Sequence, residues 1–150
     1  MTEPAAGTGW DSHVHVFDAQ APVRAGHYQP VHRPLQQVQA LAEQHGVRHL
    51  VLVQPSVYGC DNRALLDALR EGHGGSGPAA FRGVVVPAPQ TSDAQLAAMH
   101  ALGVRGIRLN LVNPAVLSVD AALALCARTA ALGWHLQLQV VLDAASAGVL

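Results

Sequence analysis

The stretch Trp10-Asp11-Ser12-His13-Val14-His15-Val16-Phe17-Asp18 decides how the rest of the chain is read. It is short, apolar and β-branched, and it carries two histidines at i and i+2. Side chains alternate across a strand, so Asp11, His13 and His15 would share one face and Ser12, Val14 and Val16 the other. The spacing alone is weak: with nine histidines in 150 residues, about 0.5 such pairs arise by chance. Histidines that merely hydrogen-bond in a core or at a sheet edge are the competing explanation.

Downstream, apolar strand-like runs alternate with helical patterns. A long loop over 18–33 exceeds the roughly 2–6 residues of an ordinary βα connection and reads as a candidate binding loop. Pro34 is placed to open a helix as its first residue, with Leu35, Val38, Leu41, Ala42 and His45 at helical spacing and Gly46 as the stop. Val47 to Val53 is a β-branched run ended by Gln54-Pro55-Ser56. Asp61 or Asn62 can cap a second helix through Leu65, Leu66, Ala68 and Leu69, stopping near Gly72. The run His73 to Pro78 is a connector too short for a domain linker.

Phe81 to Val86 is a third strand, and Ser92-Asp93-Ala94-Gln95 matches a capping box for a helix with Leu96 and Met99 inward. Val104 to Leu111 is a fourth strand and Asn113-Pro114 a turn. Ser118 can cap a helix through Leu123, Cys126, Ala127 and Ala130, which Gly133 stops before a fifth strand over Trp134 to Val141. The order β-α-β-α-β-α-β-α-β predicts a parallel α/β sheet, doubly wound or a barrel. A dinucleotide fold needs a Gly-rich turn directly after the first strand, and His15-Val16-Phe17-Asp18-Ala19-Gln20 is not one.

Composition excludes several function classes. Half the residues are hydrophobic, 13% are charged, the formal net charge is −1, and the chain contains no Lys, so there is no electrostatic footprint for nucleic acid or an anionic membrane. The N-terminus lacks a basic and apolar signal segment, and no apolar run approaches ~18 residues. Two cysteines, Cys60 and Cys126, make no disulfide framework and read as packing residues of a reducing, cytoplasmic protein.

In parallel α/β folds functional groups collect at the C-terminal strand ends. Strand one offers His13 and His15, strand two Gln54 and Ser56, and strand four Arg108 and Asn110 on one face with Arg105 on the other. An Arg inside an apolar strand is costly to bury without an acid. Arg108 is therefore either the anchor of a substrate carboxylate or half of a structural salt bridge. The histidines at 27, 32, 45, 49, 73 and 100 follow no ligand spacing and read as surface or capping residues.

Four motifs in order give a resemblance. They are Asp11 to Phe17, then Val51-Leu52-Val53-Gln54-Pro55-Ser56-Val57-Tyr58-Gly59 with Asp61-Asn62-Arg63 behind it, then Phe81-Arg82-Gly83-Val84, then Gly103 to Asn110. Together they resemble the amidohydrolase-related TIM-barrel hydrolases, in particular the 2-pyrone-4,6-dicarboxylate lactonase-like branch.

The resemblance implies a (β/α)8 barrel of which about five βα units are present. It implies hydrolysis of a lactone, ester or amide of a small carboxylated substrate by activated water. His13 and His15 would polarise the scissile carbonyl or, in metal-dependent relatives, bind a divalent ion such as zinc. The lactonase branch manages without metal. Ser56, Tyr28 and Asn110 would contact substrate, and Arg108 would pair with its carboxylate. A metal-dependent decarboxylase of the same family is an alternative.

The departures from the family pattern lie late in the chain. His135 falls near the start of strand five, with Gln137 and Gln139 nearer its end. A (β/α)8 barrel takes about 250 residues, 200 at the short end, so residues 1–150 read as a single, N-terminal part of such a domain. A half-barrel that is non-catalytic alone, or that assembles through its exposed sheet edges, is the second expectation.

Overall fold

The computed structural model describes residues 9–25, 28–74, 80–112 and 115–141. The expectations for His27, for the Asn113-Pro114 turn and for most of the connector before Phe81 lie outside these residues.

Five parallel strands alternate with four helices: β1 (Gly9–Val14), α1 (Leu35–Gln44), β2 (Val47–Val53), α2 (Arg63–Gly74), β3 (Phe81–Val85), α3 (Asp93–Ala101), β4 (Val104–Asn110), α4 (Val119–Thr129) and β5 (His135–Gln139). Their order in the sheet is β1-β2-β3-β4-β5. Each strand pairs with the next in sequence and the order never reverses, which is the winding of a barrel and not of a doubly wound sheet.

The sheet curls into an open half-barrel. A flat sheet would hold β1 and β5 about 19 Å apart, four strand spacings of roughly 4.8 Å. Instead the Gln137 amide of β5 lies 3.5 Å from the His13 ring of β1. Strands four steps apart face each other across an eight-stranded barrel, and side chains just fill such an interior.

The helices pack on the outer face of the sheet. Leu50 and Leu52 of β2, Phe81 and Val85 of β3, and Leu65 and Leu69 of α2 form one apolar cluster. Ile107 and Leu109 of β4, Leu96 of α3, and Ala122 and Leu125 of α4 form the other. Strand alternation then turns Arg108 and Asn110 to the interior and Arg105 outward, where it donates to His100 O at 2.8 Å.

Several local expectations shift. β1 ends at Val14 because its register with β2 slips between Asp11 and Val14, and Phe17 instead forms an antiparallel bridge with Arg33. Pro34 is the N-cap of α1 and not its first helical residue, with ψ 165°. Leu41 and Leu123, both part of the helical spacing, point to solvent; α4 buries Ala122, Leu125 and Thr129 instead. α2 continues two residues past Gly72. β5 is shorter than expected at both ends.

Asn62 does not cap α2 with its side chain. Its Nδ2 donates to Cys60 O at 2.9 Å and Val86 O at 2.8 Å, while Oδ1 accepts from Val86 N at 2.9 Å. The buried amide therefore ties the loop after β2 to the end of β3. The capping box holds as expected, with Gln95 N donating to Ser92 Oγ and Ser92 N to Gln95 Oε1. Ser118 caps α4.

Candidate active site

The C-terminal strand ends gather the chemistry. His13, His15, Arg108, Gln137 and Gln139 line one open cleft of about 530 Å3. Ser56, Asn110, Gln54 and Arg108 line a second, smaller recess beside it. Arg108 borders both, so five of the six site residues read from the sequence converge around one guanidinium. Tyr28, the sixth, is 62% exposed on the loop after β1 and lines neither space.

The two imidazoles stand edge to face, with ring centroids 5.0 Å apart. His15 Nδ1 lies 2.8 Å from Val53 O. A carbonyl only accepts, so Nδ1 carries the proton and Nε2 is left as an acceptor. The Gln137 side-chain amide faces His13 Nδ1 at 3.5 Å, and because a primary amide carries both a donor and an acceptor it can meet either tautomer of this ring. Burial lowers the pKa of both rings, and the Arg108 charge lowers them further. Both are neutral at neutral pH, and His15 presents an acceptor to the cleft.

Arg108 is 6% exposed. Its Nη1 donates to Gln54 O at 2.6 Å and Nη2 to Gln139 Oε1. Both acceptors are neutral, and among the described residues no carboxylate pairs with it. The structural salt bridge is therefore not what holds this cation here. Burial lowers the Arg108 pKa, yet a guanidinium stays charged, leaving a buried positive charge with hydrogen-bonding capacity to spare.

The loop after β2 shapes one wall. Gln54 Nε2 donates to Gly59 O at 3.1 Å and Asp61 O at 2.8 Å, and Asn110 Nδ2 donates to Ser56 Oγ at 2.8 Å. Gly59 has φ +56°, and a Cβ there would lie 2.8 Å from Arg24 Cδ. Tyr58, buried beneath, exchanges hydrogen bonds with the backbone of Asp18 at 3.1 Å each. This joins the loops that follow β1 and β2.

Gln137 and Gln139 were placed near the strand end by sequence but assigned no role; their period-2 alternation with Leu136 and Leu138 was the available signal. His135 sits at the barrel bottom, its ring 2.6 Å from where a Gly106 Cβ would be. Burial pushes the thiols of Cys60 and Cys126 up, away from nucleophilic thiolate, and both are unpaired. His49 accepts from Ala80 N, His32 from Ala19 N, and His100 from Trp134 Nε1, which are structural roles.

A zinc site needs about four ligands, three of them protein side chains when catalytic. Two neutral imidazoles are suitable donors. However, the described residues hold no group of three metal-ligating side chains, and the Arg108 charge acts on both rings. By themselves these residues do not fit a resident zinc, and no step below runs through one.

The amidohydrolase family profile matches residues 10–147. The chain belongs to the amidohydrolase family. It is 36% identical over 132 residues to a 2-pyrone-4,6-dicarboxylate hydrolase of Comamonas testosteroni, covering 83% of this chain and 41% of that one. It is 31% identical over 102 residues to a 4-sulfomuconolactone hydrolase of Rhizobium radiobacter, covering 66% and 32%. Among solved structures, one from Acinetobacter baumannii assigned as a 2-pyrone-4,6-dicarboxylic acid hydrolase, with citric acid bound, superposes with TM-score 0.75 at 27% identity. It covers 87% of this chain and 49% of that one. A Pseudomonas putida structure assigned to the same activity gives TM-score 0.71 at 37% identity over 86% and 47%. This amidohydrolase chain thus spans less than half the length of each of these relatives.

Proposed function

We propose that this amidohydrolase chain supplies the carboxylate-binding and carbonyl-polarising half of a lactone hydrolase site. The observation that carries the reading is Arg108: a buried guanidinium on the interior face of β4, held by neutral acceptors and bordering the cleft of His13 and His15. A small carboxylated lactone would place its carboxylate on Arg108, where a charge-assisted pair offsets the desolvation already incurred.

In its Nε2–H tautomer His13 would donate to the scissile carbonyl oxygen, and the free Nε2 of His15 would accept a proton from the attacking water. Water adds to the carbonyl carbon, the ring C–O bond breaks, and the departing oxygen takes up a proton. Ser56 and Asn110 would steady the substrate side of the β2 loop, and Tyr28 would approach from the loop after β1. The relatives' names, a dicarboxylate lactone and a sulfonated lactone, match an anion anchored beside a polarised carbonyl. A metal-assisted version would require ligands beyond the described residues. Two unpaired thiols fit a reducing, cytoplasmic setting, and no helix among the described residues is long and apolar enough to cross a membrane.

The test is loss of the ultraviolet absorbance of 2-pyrone-4,6-dicarboxylate with the active form. His13→Ala and His15→Ala should each slow it at least 100-fold; parental rates would sink the assignment.

A second reading rests on the sheet edges. Among the described residues β1 and β5 are each paired on one side only, and Trp10 and Leu138 on them are exposed. Made alone, the chain would self-associate through these edges. Light scattering that shows a monodisperse monomer with cooperative unfolding would remove this reading.

A further inference from the structure

Of the four buried side-chain atoms without hydrogen-bond partners among the described residues, Gln137 Oε1 belongs to the cleft and Arg24 Nη1 to the loop after β1, while the other two are opposite in kind: the donor Arg108 Nε and the acceptor Gln54 Oε1. Gln54 is 0% exposed and Arg108 6%. Both line the recess that Ser56, Asn110, Val116 and Leu117 also bound. The histidines do not line it.

The Gln54 amide cannot be turned to remove the conflict. Its Nε2 donates to two main-chain carbonyls, Gly59 O and Asp61 O, and a flip would set Oε1 against both. Turned to the recess that both residues line, the two would set a fixed acceptor beside a permanent N–H donor. An anion would meet Oε1, a cation would meet the guanidinium, and an apolar group would leave both atoms unsatisfied. Only a neutral group that accepts and donates at once satisfies the pair. The recess has about 10 Å3 of room for the centre of a water-sized sphere, against the roughly 10–15 Å3 that one buried water needs.

We propose that this recess is a binding site for one resident water, accepting from Arg108 Nε and donating to Gln54 Oε1. Ser56 Oγ, which accepts from Asn110 Nδ2, lines the same space and is the candidate partner for the water's remaining hydrogen-bonding capacity. The water has a consequence for specificity. With Nη1 on Gln54 O, Nη2 on Gln139 Oε1 and Nε on the water, Arg108 keeps one N–H on each terminal nitrogen. A substrate carboxylate would then dock end-on across Nη1 and Nη2, and not side-on along the Nε edge. That last consequence rests on the carboxylate-anchor reading of Arg108; the water site does not.

An atomic-resolution crystal structure of the protein, without and with citrate, tests it. The expected result is one water at ordinary hydrogen-bond distance, about 2.7–3.2 Å, from both atoms, unchanged by citrate. In solution, a water-to-Arg108 Hε Overhauser effect of a long-lived hydration site is expected, and Val116→Ile, which pushes a methyl group into the recess while sparing both polar residues, should abolish it. A direct Gln54–Arg108 hydrogen bond, an ion in the recess, or replacement of the water by the citrate hydroxyl would each overturn the proposal. If hydrolysis fails while the water is present, only the lactonase reading falls.

Discussion

His13 on β1 and Gln137 on β5 meet at 3.5 Å across the mouth of the sheet, 124 residues apart in sequence. The two strands share no backbone ladder among the described residues; the contact exists because four parallel strand steps carry the backbone halfway round a barrel. The same curvature lets Arg108 reach the Gln54 carbonyl, two strands away, and so makes one cleft from residues on β1, β4 and β5.

Arg108 should show opposite effects on activity and stability. Arg108→Met is expected to remove at least 100-fold of kcat/KM for a carboxylated lactone in the active form. It should leave the urea midpoint unchanged or raised, since it relieves a buried cation that no described carboxylate offsets. Arg108→Lys keeps the charge but loses the planar fork, and should raise KM by about 10-fold or more. Steady-state kinetics alongside urea melts separate the two effects.

Gly59→Ala should destabilise the protein by about 1–3 kcal/mol, the usual cost of a strained left-handed residue, because φ is +56° and the new Cβ would lie 2.8 Å from Arg24 Cδ. The contact is with a flexible stem, so Arg24→Ala in the same chain should recover part of the loss. Urea unfolding of the two variants measures both terms.

Asn62→Leu removes two hydrogen bonds that join the β2 loop to Val86 and one to Cys60 O within the loop, and leaves buried main-chain groups unpaired. The expected cost is about 2–4 kcal/mol. Faster hydrogen exchange should appear at Val86 N and around Ser56. Normal protection at both would show that the loop holds itself.

Acidification should weaken the fold through the site histidines. Burial and Arg108 hold the pKa values of His13 and His15 below the ordinary 6.5, so the unfolded chain binds more protons than the folded one in that interval. Stability is complete above about pH 6.5 and declines as pH falls from there toward the lowered folded-state values. His15→Gln should flatten this part of a plot of urea midpoint against pH; an unchanged slope would place the proton uptake elsewhere.

Much of the fold was readable from local pattern. The β-branched run Val47–Val53, the Ser92 capping box and the glycine stops mark elements that form for reasons contained within a few residues. Periodicity left the exposure of Leu41 and Leu123 open, since it reports which residues share a helix face but not which face meets the sheet. Of the two capping candidates Asp61 accepts from Arg63 N at 3.3 Å, whereas the Asn62 side chain is taken by Val86, 24 residues on.

By itself the sequence determined the alternation of strands and helices, the family, and the strand ends on which reactive side chains must stand, because these follow from side-chain type and spacing along the backbone. The resemblance implied the barrel, and only the tertiary structure decided which remote side chains its curl brings together. With that curl come the His13–Gln137 contact, the neutral cradle of Arg108 and the paired unsatisfied atoms of Arg108 and Gln54. Each depends on the distance between strands that are remote in sequence, a quantity set by sheet curvature and not by any one segment.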